Sequence, residues 1–363
     1  LNAIKAFFMF TTLETPAHAP QSAAALHLLL TQGAVFAAVY DDGMANHLPM
    51  TLHAASALGA GAERLQAQWD HDAPRLEPLH ALSAAGGLTD ATWRQALGRR
   101  DQEADLRAYF LRALQEQGLE AVLRAAVPTL MVGWHAHAFH GLIRLGHAVE
   151  GGTPLELGAA LAAWASEWER LAEPQVPAKD LWGLDAWMAQ WLPELPSWTS
   201  AAPLIQLRMR EAQPTAIYQR WADALAPQSS VPALRDRLIE AACGLYLQSR
   251  NFTVLHMITA LRALRVVQAW VPDTPQVQRA IGRGALAAAL AARWPLPGRG
   301  VPEALREATV PEWPQLRALA LAQWDEHVIK LVHACDQEDH LRPRPHWRMA
   351  AALALGCFDG ARG

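Results

Sequence analysis

The chain has 363 residues, enough for one large domain or two ordinary ones with a sizeable buried core. Apolar residues make up 52% and charged residues only 18%, which excludes general disorder, and a net charge of −4 excludes a sequence-blind nucleic-acid binder. Three widely spaced cysteines, Cys243, Cys335 and Cys357, build no disulfide framework, so a reducing, cytoplasmic setting is expected.

The opening LNAIKAFFMF carries too short an apolar run for a secretory signal. Residues 1–21 are read as a lead and 22–363 as a single large domain. The longest apolar stretch, Ala23 to Tyr40, is interrupted by His27, Thr31 and Gln32, so it predicts a buried helix rather than a bilayer span. No membrane partner is expected. Ala and Leu dominate the chain while β-branched residues and alternating runs are sparse, which favours helix over strand. The 24 prolines gather at Pro174–Pro177, Pro193–Pro196, Pro272–Pro275 and Pro295–Pro302, where a missing backbone donor ends helices. About a dozen stretches with helical period lie between them. Clear ones are Leu106–Leu114 with its continuation past Gly118, Leu155–Leu171, Leu234–Leu247, Val254–Val271 and Leu316–Cys335. The fold class is all-α.

Histidine is over-represented, 15 residues against 4 Tyr and 8 Phe, and directs the search for chemistry. In MANHLPMTLH, Asp41, Asp42 and Gly43 close the preceding helix and His47 stands at the start of another, either as a simple cap or as a ligand beside Asn46. In WHAHAFHGLIRLGH, four histidines occupy 13 residues of an apolar helix without acidic residues. Its His140, Arg144 and His147 share one face, which marks Arg144 and His147 as catalytic candidates. A buried Arg144 requires an anionic partner. Gly133, Gly141 and Gly146 suggest close helix approach there. In NFTVLHMITA, His256 is by itself an ordinary core histidine. In WDEHVIKLVH, His327 and Lys330 are neighbours on one helical face; a Glu326–Lys330 pair is the plain alternative to His327 as a metal ligand beside a CO2-carboxylated Lys330. Sequence signatures of zincins, α/β-hydrolases, nucleotide-binding loops and ferritin-like di-iron sites are missing.

Taken together and in order, NHLPMTLHAASALGA, FHGLIRLGHAVE, NFTVLHMITALRAL and WDEHVIKLVHAC resemble the questin oxidase-like family, over roughly Ala38 to Cys335. The resemblance implies an all-helical oxygenase acting on a small phenolic or polycyclic aromatic compound. It further implies a mononuclear non-haem iron, Fe(II), held by His47, His140, His256 and His327 with a carboxylated Lys330. O2 would be co-substrate, and zinc accepts similar ligands. Fungal members tend to carry His at the Arg144 position and Tyr at the His147 position, which puts a shared substrate in doubt. Asn46, Asp325 and Glu326 are candidates to orient the ligand rings, and Trp134, Phe139, Phe252 and Met257 to line an aromatic pocket, each with plain core packing as the alternative. Two other functions are weighed: an NADPH-dependent Baeyer–Villiger-type oxidase without a protein metal site, and a non-enzymatic helical binding protein whose histidines merely pack.

Overall fold

Helix-forming composition is matched by helix almost throughout. The computed structural model describes residues 19–80, 87–292 and 309–358. It is 70% helical, with sixteen α-helices and a single two-stranded sheet among those residues. The number exceeds the dozen expected because pieces such as Leu184–Trp191, Ile205–Ala212 and Ala216–Trp221 span only two turns, too few to show a period. The opening lead and the proline group from Pro295 to Pro302 lie outside the described residues. Among the described residues no helix is long and apolar enough to cross a membrane.

Helix α1 (Ala19–Gly33) is followed by a hairpin, β1 (Val39–Tyr40) and β2 (Met44–Ala45), and then by α2 (Leu48–Ala57) and α3 (Ala62–Asp72). The single buried helix expected over Ala23 to Tyr40 is thus corrected: it stops at Gly33, and much of its surface is exposed. Asp41, Asp42 and Gly43 do not end a helix. They turn the hairpin with φ of 45°, 55° and 138°, conformations tolerated by short polar side chains and by glycine. Next come α4 (Glu103–Gln117), α5 (Leu119–Leu130), α6 (His140–Gly151) and α7 (Pro154–Ser166). Gly118, with φ 81°, separates α4 from α5, so the periodic run across it is two helices.

The histidine-rich segment departs most from expectation. Residues 134–139 do not continue α6, because His137, Ala138 and Phe139 adopt left-handed φ of 48°, 53° and 71°. Three such non-glycine residues in succession cost about 1–3 kcal/mol each and persist only where surrounding structure fixes them. After α8 (Leu184–Trp191), α9 (Ile205–Ala212) and α10 (Ala216–Trp221) follow α11 (Val231–Ser249), α12 (Phe252–Val267), α13 (Pro275–Ala291), α14 (Trp313–Leu321), α15 (Glu326–Leu341) and α16 (Pro345–Ala354). The stretch Leu316–Cys335 is also two helices, because Asp325 leaves the helical region and caps α15 by accepting from the His327 backbone N–H at 2.8 Å.

At the centre, α2 packs on α6, α6 on α12, α12 on α15 and α15 back on α2, a closed ring of four helices. Close approach within it rests on small residues. A Cβ added at Gly146 of α6 would lie 2.8 Å from Ala263 Cβ of α12; on the outer side of α6, one at Gly141 would lie 2.6 Å from Trp164 Cβ of α7, which lies outside the ring. The helices of this ring all start at the same end, and that end carries the site.

Candidate metal centre

Each helix of the ring delivers one histidine from its first turns. His47 is the N-cap residue of α2 and His140 the first residue of α6. His256 lies one turn into α12, and His327 is the second residue of α15. Local chemistry fixes each start. Asn46 accepts the Leu48 N–H at 3.1 Å and donates to Ala37 O at 3.0 Å, and Pro49 sets the first turn of α2. Asn251 caps α12 by accepting from the Thr253 and Val254 N–H groups. Asn46 is therefore a clamp of the backbone rather than an orienter of His47.

The rings close into a cycle in the same order as their helices. Centroids are 4.7 Å apart for His47–His140, 5.1 Å for His140–His256, 5.1 Å for His256–His327 and 4.6 Å for His327–His47. One ligand nitrogen from each lies within 4.8 Å of all the others. In every ring Nδ1–H has an acceptor. His47 donates to Glu326 Oε1 at 3.2 Å, His140 to the His137 carbonyl at 2.6 Å, His256 to the Phe252 carbonyl at 2.8 Å and His327 to Asp325 Oδ1 at 3.3 Å. A neutral imidazole that donates from Nδ1 keeps its lone pair on Nε2, so all four present Nε2 as a donor atom to a cation.

The Nε2 atoms of His47 and His140 stand 2.7 Å apart. Two lone pairs at that distance repel unless a proton or a metal ion lies between them. A proton is disfavoured: burial, together with Lys330 and neighbouring rings, holds His47, His140 and His256 well below the usual imidazole range, and His327 is lowered by burial and Lys330 against the opposite pull of Asp325 and Glu326. Four helix N-termini add positive partial charge, which further favours neutral rings. Nitrogens sharing one first-row cation lie about 3–4 Å apart; the His47–His140 pair must open by a few tenths of an ångström to take such an ion, while all four ligand atoms already lie within 4.8 Å of one another. The same positive helix ends oppose a bare cation, which makes anionic neighbours necessary; Glu326 and Asp325 supply two.

Lys330 is one turn beyond His327 on α15 and 2% exposed, and its charge bears on all four rings. Burial pulls its amine down to about 8, against the opposite pull of Glu326, Asp325 and Asp72. The Glu326–Lys330 pair, the plain alternative for this segment, acts on Lys330 only as a nearby charge; the Glu326 carboxylate instead accepts from His47.

A comparison with known protein families matches residues 44–335 to the questin oxidase-like family. The chain belongs to that family. Membership implies an oxidoreductase, an oxidase or oxygenase in broad class. A search of curated proteins finds no match. The matched span of this questin oxidase-like protein contains all four rings and Lys330.

Arg144 and His147 are not brought to the ring of four. Arg144 is 3% exposed and forms a bidentate pair with Glu156 of α7 at 2.7 and 2.8 Å, and His147 Nδ1 lies 2.9 Å from His53 Nδ1. The helix α6 packs against several neighbours, so residues on one of its faces need not meet one site. Arg144 instead points to α7, and His147 lies two turns below His140. Arg144→Ala would strand Glu156 as an unpaired buried charge and is expected to cost about 3–5 kcal/mol in urea denaturation. Arg144→Met combined with Glu156→Met should restore most of it, and neither variant should change the metal content.

Of the proposed pocket lining, Phe252 touches the rings, with centroids 4.7 Å from His256 and 4.6 Å from His327, and it is 51% exposed. Trp134, Phe139 and Met257 are buried in the core, where the Trp134 indole donates to Ala280 O. Sequence reading missed His137, whose carbonyl orients His140 and whose ring Nε2–H donates to the hairpin carbonyl of Gly43 at 2.9 Å. Only its place in the histidine-rich segment hinted at a role.

Proposed function

We propose that this chain is a non-haem iron-dependent oxygenase acting on a phenolic or polycyclic aromatic compound with O2 as co-substrate. Four inward Nε2 lone pairs, each fixed by an Nδ1–H bond on its far side, are the observation that carries the reading. Ferrous iron, when bound, supplies redox chemistry and positions open to dioxygen.

The residues of the chain divide the work. His47, His140, His256 and His327 hold the ion, and Glu326, Asp325 and the carbonyls of His137 and Phe252 hold the rings in place. As a carbamate, Lys330 would be an anionic oxygen donor: the lone pair of its neutral amine forms an N–C bond to CO2, one C=O π pair moves onto oxygen, and the released N–H proton is taken up by solvent base. The lowered pKa of Lys330 keeps more of the neutral amine available. Phe252 offers an apolar face at the solvent side of two ligand rings, where a flat substrate can stack. Burial of the rest of the site excludes bulk water.

Anomalous scattering at the iron and zinc edges, from crystals of anaerobically purified protein, tests the reading. A peak at the iron edge between the four Nε2 atoms is expected. A site that holds no metal after Fe(II) is supplied would sink the oxygenase and leave a packed histidine cluster.

A further inference from the structure

Two turns below the ring lies a second cluster that the proposed oxygenase chemistry does not use. His53 follows His47 by six residues on α2, His147 follows His140 by seven on α6, and His333 follows His327 by six on α15. At 1.5 Å per residue this is a level about 9–10 Å deeper along the same helices. Ring centroids are 5.1 Å apart for His53–His147, 5.3 Å for His147–His333 and 5.8 Å for His53–His333. On α12 the residue six beyond His256 is Arg262, and its Nη2 donates to Glu150 Oε1 at 2.5 Å. His53, His333 and Glu150 each offer one ligand atom, and the three atoms lie within 4.8 Å of one another.

We propose that His53, His333 and Glu150 form a second site for a divalent first-row transition metal, separate from the ring of four. Two histidines and one carboxylate are a donor set used by both zinc and non-haem iron. The site is built rather than incidental. His333 is 1% exposed and its Nδ1 has no hydrogen-bond partner, which is costly for a buried ring nitrogen without an ion to bind. His53 can donate from Nδ1 to His147 Nδ1, which leaves its Nε2 as the donor atom and makes His147 its orienting partner. The His53 ring lies directly on Gly151, where an added Cβ would stand 2.6 Å from Nε2, so only glycine admits it. Arg262 holds one oxygen of Glu150 and leaves the other to the ion. The Glu150 side chain, a quarter exposed, gives the ion a way in from solvent.

Titration of the metal-free full chain with Co(II), read by visible absorption and by equilibrium dialysis, tests the site. Two equivalents are expected for the wild type. One should remain in His333→Ala, one in His256→Ala and none in the double variant. His147→Phe, which removes only the orienting partner, should weaken the second equivalent by about 10- to 100-fold. A wild type that binds a single equivalent, lost in His256→Ala, overturns the second site and leaves the oxygenase reading standing. A single equivalent lost in His333→Ala but kept in His256→Ala does the reverse. Two equivalents that survive His333→Ala place the extra ion elsewhere and overturn the proposal. Should metal-free His333→Ala fail to melt cooperatively, Glu150→Gln at the rim replaces it in the titration, with the same loss of one equivalent expected.

Discussion

Replacing His256 by alanine should empty the ring of four and abolish oxidation of an aromatic substrate. His256 is buried within the cycle of rings, and its Nδ1–H is committed to the Phe252 carbonyl. Without it the remaining nitrogens cannot surround an ion. The stability that bound metal lends the fold is lost too, about 2.7 kcal/mol at a free metal concentration a hundredfold above Kd. The check is a thermal melt with and without Fe(II) or Co(II), run alongside turnover. Metal should raise the melting point of the wild type by more than that of the variant, with the two metal-free proteins melting close together. His256→Gly should recover part of both signals when imidazole is supplied, because the ligand returns without its tether. Full turnover by His256→Ala would dismiss this ring from the chemistry.

Acid should unfold the metal-free protein abruptly, and early. Nine histidines, His47, His53, His135, His137, His140, His147, His256, His327 and His333, are held below the ordinary value of 6.5, chiefly by burial. His53 is lowered to about 4 and His135 to about 3. A folded pKa below the unfolded one means that the unfolded chain binds more protons. The contribution to stability is therefore intact above pH 6.5 and drains away as pH falls toward the folded values. Each such histidine loses about 1.4 kcal/mol per pH unit in that window. The nine together set an upper bound of about 12 kcal/mol per unit, against a total stability of about 5–15 kcal/mol for ordinary domains. Tryptophan fluorescence should show a cooperative transition between about pH 5 and 6, with uptake of several protons. Metal at the ring of four should move the midpoint to lower pH. A fold that survives unchanged at pH 4 would contradict the neutral-histidine reading.

The convergence of His47, His140, His256 and His327 was legible because each stands in a short apolar motif, and because the four motifs together carry a family resemblance. None of the four was distinctive alone; His256 reads as ordinary core. Backbone irregularity was not legible. The period through WHAHAFH suggests continuous helix, and nothing in His137-Ala138-Phe139 announces three left-handed residues, since the cause lies in tertiary contacts such as the bond from His137 to Gly43. The break at Asp325 was visible in principle as an N-cap residue, but the apolar spacing on both sides masked it. Arg144 shows the limit of reasoning from helical faces: the need for an anion was readable, whereas its identity, Glu156 on α7, was not. His53 and His333 each lie six residues after a ring histidine. That recurring offset was in the sequence and becomes meaningful only once the helices are known to start together.

The ring draws its members from positions as far apart as 47 and 327. A growing polypeptide leaving the ribosome holds two of the four imidazoles early, yet cannot finish the nest until the segment around His327 has emerged. On the proposed reading, the ion is then taken up only after synthesis has passed that segment, and chains made where metal is scarce would accumulate folded and inert.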